Sequence, residues 1–155
     1  MRLTALGRPM VAALFLWLAA PAWADPMLQV VDPAGKVLAE LPFPPEGEIC
    51  LSWAHSVTGG AVADCFGTTS GRLVLRRSYL HDYAAGLGEV AGRGRVLPAE
   101  GGGYWIVEIN EPLPPTGLPL RVGPAFVGHS LTNGRDTIDL SALAANQRVS
   151  LRATD

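Results

Sequence analysis

Two cysteines, Cys50 and Cys65, bracket a stretch with the pattern of a β-hairpin. If they stand opposite each other, the register of the hairpin is set. Ile49 then pairs with Phe66, Leu51 with Asp64, Trp53 with Val62, and His55 with Gly60. Side chains alternate between faces along a strand, so Ile49, Leu51, Trp53, Val62 and Phe66 gather on one surface fit for a core. The cystine, Ser52, Ala54, Ala61 and Ala63 take the other face. His55 and Ser56 fall at the tip, beside Gly59 and Gly60.

A disulfide needs an oxidising compartment, and the N-terminus supplies a route to one. Arg2 and Arg8 precede an apolar run from Met10 to Ala20, and Ala22-Trp23-Ala24 has the small residues a signal peptidase requires. The run is roughly a dozen residues, short of the about 20 that span a bilayer. The expectation is a signal peptide over 1–24, cleavage before Asp25, and one domain over 25–155 in the periplasm, with no membrane span in the mature chain. No Cys follows the cleavage point and no Arg pair precedes it, which argues against a lipid anchor and twin-arginine export. The mature chain keeps ten basic residues against 14 acids, a charge of −4, with Lys36 its single lysine. Such a surface has no basic patch for nucleic acid.

Downstream, short alternating segments are separated by turn residues. Leu28–Val31 and Val37–Leu41 flank the Asp32-Pro33-Ala34-Gly35 turn. Arg72–Tyr79 follows the central hairpin. Between His81 and Gly103 lies a glycine-rich stretch in which Val96-Leu97 is the strand-like fragment. Tyr104–Glu111 returns to strand pattern, and Pro119 assigns Leu118–Val122 to a sheet edge. Phe126–Thr132 reads as a short strand or bend, and Asn133-Gly134 as a hairpin turn of the type I′ kind. Asp136–Leu140 follows. Ser141 starts one helical turn as a candidate cap, and Arg148–Arg152 is the last strand. The fold class expected is all-β: a single-domain β-sandwich or flattened barrel of about nine or ten short strands.

Candidate chemistry is sparse. His55, His81 and His129 lack the short spacing of a metal site, so no metal and no cofactor is expected. A hydrolase using Ser56 and His55, or a bound metal, is the alternative function. It meets an obstacle, because neighbours on a strand point to opposite faces. Asp64 shares the face of His55 but lies four residues away along the hairpin. A binding site is easier to assemble: His55 and Ser56 as donors, Asp64 as an orienting carboxylate, and Tyr83 with Gly86 in the flexible Tyr83–Gly88 loop. Arg76 and Arg77 add charge. Backbone amides with an arginine suit a small anionic solute. His129-Ser130-Leu131-Thr132-Asn133-Gly134 echoes His55-Ser56-Val57-Thr58-Gly59-Gly60, and a duplicated half would put both tips at one end.

Trp53-x-His55-Ser56-Val57, then Ala61-Val62-x-Asp64-x-Phe66, then Tyr83-Ala84-Ala85-Gly86-Leu87-Gly88 resembles the exported family called domain of unknown function 1850. His55, Ser56 and Val57 match its His-Ser-Val stretch as they stand. Asp64 takes the place of a glutamate and Ala61 that of a proline. Ala84–Gly88 covers a Gly-Ala-Gly-Leu-Pro loop but lacks its first glycine and its proline. The resemblance implies context, since members are typically encoded beside TRAP transporters of the TAXI class. The function expected is a non-catalytic periplasmic accessory or binding protein. Its partners would be the transporter's receptor, its membrane subunit, or a small anionic solute.

Overall fold

A computed structural model describes residues 25–82 and 92–154. Among these residues twelve strands form two antiparallel sheets that face each other, with one short helix beside them. The smaller sheet runs in the order β2 (Val37–Pro42), β1 (Met27–Val31), β12 (Arg148–Thr154), β9 (Leu118–Arg121). The larger runs β11 (Thr137–Asp139), β10 (Ser130–Thr132), β3 (Ile49–Ala54), β4 (Ala61–Thr69), β5 (Arg72–Leu80), β7 (Tyr104–Val107), β6 (Arg95–Pro98). A two-residue β8 (Glu111–Pro112) also pairs with β5. This is the β-sandwich expected from the alternation of apolar residues.

Leu28 and Val30 on β1, with Val149 and Leu151 on β12, pack against Ile49, Leu51, Phe66, Leu73, Leu75 and Leu131 of the larger sheet. Each is removed from water, and burial of such a side chain contributes about 1.5–3 kcal/mol. A second apolar cluster, Leu80, Tyr104 and Ile106, sits towards the β6 end of that sheet.

The central hairpin has the register set by its cysteines. Ile49 pairs with Phe66, Cys50 with Cys65, Leu51 with Asp64 and Trp53 with Val62. Cys50 and Cys65 form a disulfide with Cα atoms 4.0 Å apart. The strand containing Pro119 lies at the edge of its sheet.

Three expectations differ from the structure. The single strand expected over Tyr104–Glu111 divides into β7 and β8, because Glu108 and Asn110 have φ of 61° and 49°, which no strand accommodates. The short strand or bend expected over Phe126–Thr132 is both, a turn closed at Val127 followed by β10, and with β7 and β8 counted apart the described residues hold twelve strands where nine or ten were expected. The Asn133-Gly134 turn is not type I′. Thr132 pairs with Thr137, leaving a four-residue loop, and only Gly134 (φ 88°) takes a left-handed conformation. Asn133 Oδ1 holds that loop by accepting from the Arg135 and Asp136 amides at 2.9 and 2.8 Å.

Helix α1 (Leu140–Ala144) is capped by Asp139, not Ser141. The Asp139 carboxylate accepts from the Ala142 amide at 2.8 Å. Ser141 is buried one position inside the helix and its hydroxyl serves another purpose.

Candidate functional site

β3 ends at Ala54, and its next residues turn back on themselves. His55 N–H donates to the Gly60 carbonyl, and Gly59 N–H donates to the His55 carbonyl, both at 2.8 Å. The imidazole leans over this turn. Its Nδ1 accepts from the Val57 and Thr58 amides, at 3.4 and 3.3 Å. A neutral His55 therefore keeps its proton on Nε2 and presents a donor. Ser56 is exposed beside it, and no hydrogen bond joins the two side chains among the described residues.

β10 runs antiparallel to β3, with Ser130 opposite Ser52. The residue before β10 is His129, which lies at the same end of the sheet as His55. The Ala54 amide donates to the Val127 carbonyl at 2.7 Å and draws the two segments together. His129 is held on all sides. Its Nδ1 accepts from the Gly123 amide at 3.0 Å. Its own amide donates to the Ser141 hydroxyl at 2.9 Å, and that hydroxyl donates to the Gly123 carbonyl at 2.9 Å. Its ring stacks on Trp53, centroids 5.7 Å apart and planes 17° from parallel. Gly123 cannot carry a side chain here, since a Cβ would come within 2.7 Å of the Val127 side chain. Burial lowers the pKa of His129 below its ordinary 6.5. Its ring is therefore neutral at pH 7, again with the proton on Nε2.

Between these segments lies a cleft of about 430 Å³. Trp53, His55, Ser56, Arg121, Phe126 and His129 are among its lining residues, and none of the described lining residues is acidic. The exposed Arg121 side chain makes no ion pair or hydrogen bond with the described residues. The volume is within the range of small-molecule sites. Its polar side chains are mostly donors: two imidazole N–H groups, a guanidinium and a hydroxyl, with the Asn146 amide able to donate or accept. Such a set can hold an anion.

It is poorly set for hydrolysis. The histidine nitrogen that would accept a serine proton must carry a free lone pair. In both rings the acceptor nitrogen is already occupied by backbone amides. A metal ion faces the same difficulty, since it too needs a deprotonated nitrogen. The only cluster with ligand-like spacing among the described residues is Glu48, Cys50 and Cys65, and its two sulfurs are joined in the disulfide.

Asp64 stands apart from this cleft. It pairs with Leu51, four residues down β3 from His55, or about 13 Å at strand rise. It faces inward and accepts from the Ser78 hydroxyl at 2.6 Å. Desolvation raises its pKa, opposed by the Ser78 hydrogen bond and by the nearby Arg93. Arg77 lies on the opposite face of the sheet, paired with Glu48 at 2.8 Å and stacked over Trp105. Arg76 lies across the backbone of Gly67, away from the cleft. Tyr83 and Gly86 are outside the described residues. The His-Ser-apolar-Thr-x-Gly echo is not a structural repeat. The first copy is a turn, while the second is strand β10, whose own turn lies at the other end of the sheet. Its value is different: both of its histidines reach one cleft.

A family model described as a domain of unknown function, DUF1850, matches residues 49–140, more than half of the chain. The chain belongs to the DUF1850 family. No curated protein and no solved structure matches it. The matched span of this DUF1850 protein runs from the first residue of β3 to the first residue of α1. It contains His55, Ser56, Asp64, Arg121 and His129, while β1, β2 and β12 lie outside it.

Proposed function

We propose that this protein is an exported, non-catalytic accessory of a TAXI-type TRAP transporter that holds a small organic anion in the His55–His129 cleft. The observation that carries the reading is the chemistry of the lining. Among the described residues, His55, Ser56, Arg121, His129 and Asn146 line the cleft around the Trp53–His129 stack, and no carboxylate does. An anion placed there accepts hydrogen bonds on one side and meets apolar surface on the other, as a short organic carboxylate requires. The disulfide is in keeping with an oxidising compartment. The transporter context comes from the resemblance described above.

The test is a titration of the mature protein with butyrate, succinate, 2-oxoglutarate and benzoate, each against its neutral amide. Heat and Trp53 emission would be recorded. The expected result is saturable binding of at least one carboxylate and none of its amide. Arg121→Ala should weaken it about ten- to a hundredfold, the usual worth of a charge-assisted hydrogen bond. Equal binding of acid and amide, or no binding of any carboxylate, refutes the reading. Impaired uptake of the same acid on deletion of the protein would tie the cleft to the transporter.

A further inference from the structure

Folding leaves two large apolar side chains in water at one end of the sandwich. Val57 is 85% exposed and Phe126 is 75% exposed, whereas the next such residue, Leu143, is 42% exposed. Both sit on tight turns. Val57 crowns the His55–Gly60 turn. Phe126 crowns the turn closed by the Val127 amide donating to the Pro124 carbonyl at 2.9 Å. The Ala54–Val127 hydrogen bond ties the turns together, so the two tips flank the mouth of the cleft in a fixed relation. Neither turn can fold its apolar residue inward without breaking these backbone bonds.

We infer that this end of the molecule docks on a lipid surface, with Val57 and Phe126 inserted between headgroups. The shape of the surface decides between a bilayer and a protein partner. A stable protein interface needs about 800 Å² of complementary surface on each side. Among the described residues these are the only large apolar side chains more than half exposed, and they project from separate turns beside Gly59, Ala125 and Gly128. A lipid interface closes around each projection without shape matching. The local charge is nearly balanced: Arg121 stands at the cleft, and the Asp82 carboxylate lies against Gly60 on the other side of the hairpin tip. Attachment therefore depends on apolar insertion, not on anionic lipid. Two tips make a weak anchor, so binding is reversible and needs lipid on the order of millimolar. Docking would turn the cleft towards the membrane. The inference does not depend on the identity of the solute.

The experiment is flotation of the mature protein with vesicles of phosphatidylcholine alone, and of phosphatidylethanolamine with phosphatidylglycerol. Binding to both is expected, with little change between low and high salt. The double variant Val57→Ser/Phe126→Ser should lose about tenfold of the bound fraction. Val57→Trp should bind more tightly and shift its emission to the blue on vesicle addition. Absence of flotation by the wild type refutes the inference, and so does a double variant that floats as well as the wild type. Loss of binding at high salt refutes insertion. Crosslinking to a membrane protein that depends on Val57, without any vesicle binding, would replace the lipid by a protein. Because Val57 does not line the cleft, Val57→Ser alone should leave carboxylate titrations in lipid-free buffer unchanged. Failure of the lipid inference is thus distinguishable from failure of the solute reading.

Discussion

Replacing both Cys50 and Cys65 by alanine removes the one covalent tie in the sandwich, and its cost can be worked from the loop it closes. The two residues are 15 apart in sequence. The chain-entropy relation gives about 10 cal/mol/K for such a loop, or about 3 kcal/mol at 25 °C. A packing term adds to this, because Cys65 is wholly buried and its sulfur leaves a small void worth about 1 kcal/mol. The folded hairpin itself should survive, since β3 is still paired with β10 and β4 with β5. The loss therefore lies mostly in the unfolded chain. For the about 130 residues that cleavage before Asp25 would leave, the entropy of unfolding is about 0.27 kcal/mol/K, so the Tm should fall by about 11–15 °C. Calorimetry and urea denaturation of wild type and variant would measure it. The denaturant slope should rise in the variant, because its unfolded chain exposes more surface. A Tm loss under about 4 °C, with no free thiol in the denatured wild type, would refute the loop-entropy reasoning. It would mean that the unfolded chain already holds the hairpin together.

Three further outcomes follow from the packing. Ser141→Ala strands the His129 amide and the Gly123 carbonyl, and should cost about 1–3 kcal/mol in denaturant melts. The same change should weaken carboxylate binding although Ser141 does not line the cleft. Gly117→Ala should cost about 2–4 kcal/mol, because φ is 89° and the new Cβ would overlap the Leu151 carbonyl oxygen, whereas Gly35→Ala, with φ 86° and open space around it, should cost about 1 kcal/mol in the same melts. His129 and Asp64 impose opposite pH slopes. The lowered pKa of His129 gives stability that is complete above pH 6.5 and declines as pH falls towards its folded value, because the unfolded chain takes up the proton first. The raised pKa of Asp64 means the folded state holds its proton more tightly, so stability falls as pH rises from 3.8 through the folded value. Asp64→Asn keeps an acceptor for Ser78 and should raise the urea midpoint at pH 7. An unchanged or lower midpoint would contradict the desolvation argument.

The sequence alone determined the hairpin and its register. Two cysteines expected to pair, with Ile49, Leu51, Trp53, Val62 and Phe66 alternating about them, allow one pairing that places all five on one face. It also determined the all-β class and the edge position of β9, because strand periodicity and the missing proline amide are local properties. What it left open was decided by contacts between distant segments. Nothing local indicates that Glu108 and Asn110 break a strand, or that Asp139 takes the cap from Ser141. His55 was legible from its motif. His129 was visible as the echo of that motif, but its role was not, since it depends on β10 lying beside β3 and on Gly123 and Ser141 closing around the ring. Arg121 carried no signal of its own, and Trp53, first residue of the motif, read only as a core-face residue. The sheet order brings four segments, near residues 53–56, 121–127, 129 and 146, to one end of the sandwich. A cleft made in this way is a property of topology, whereas alternation along a strand specifies only which face each residue takes.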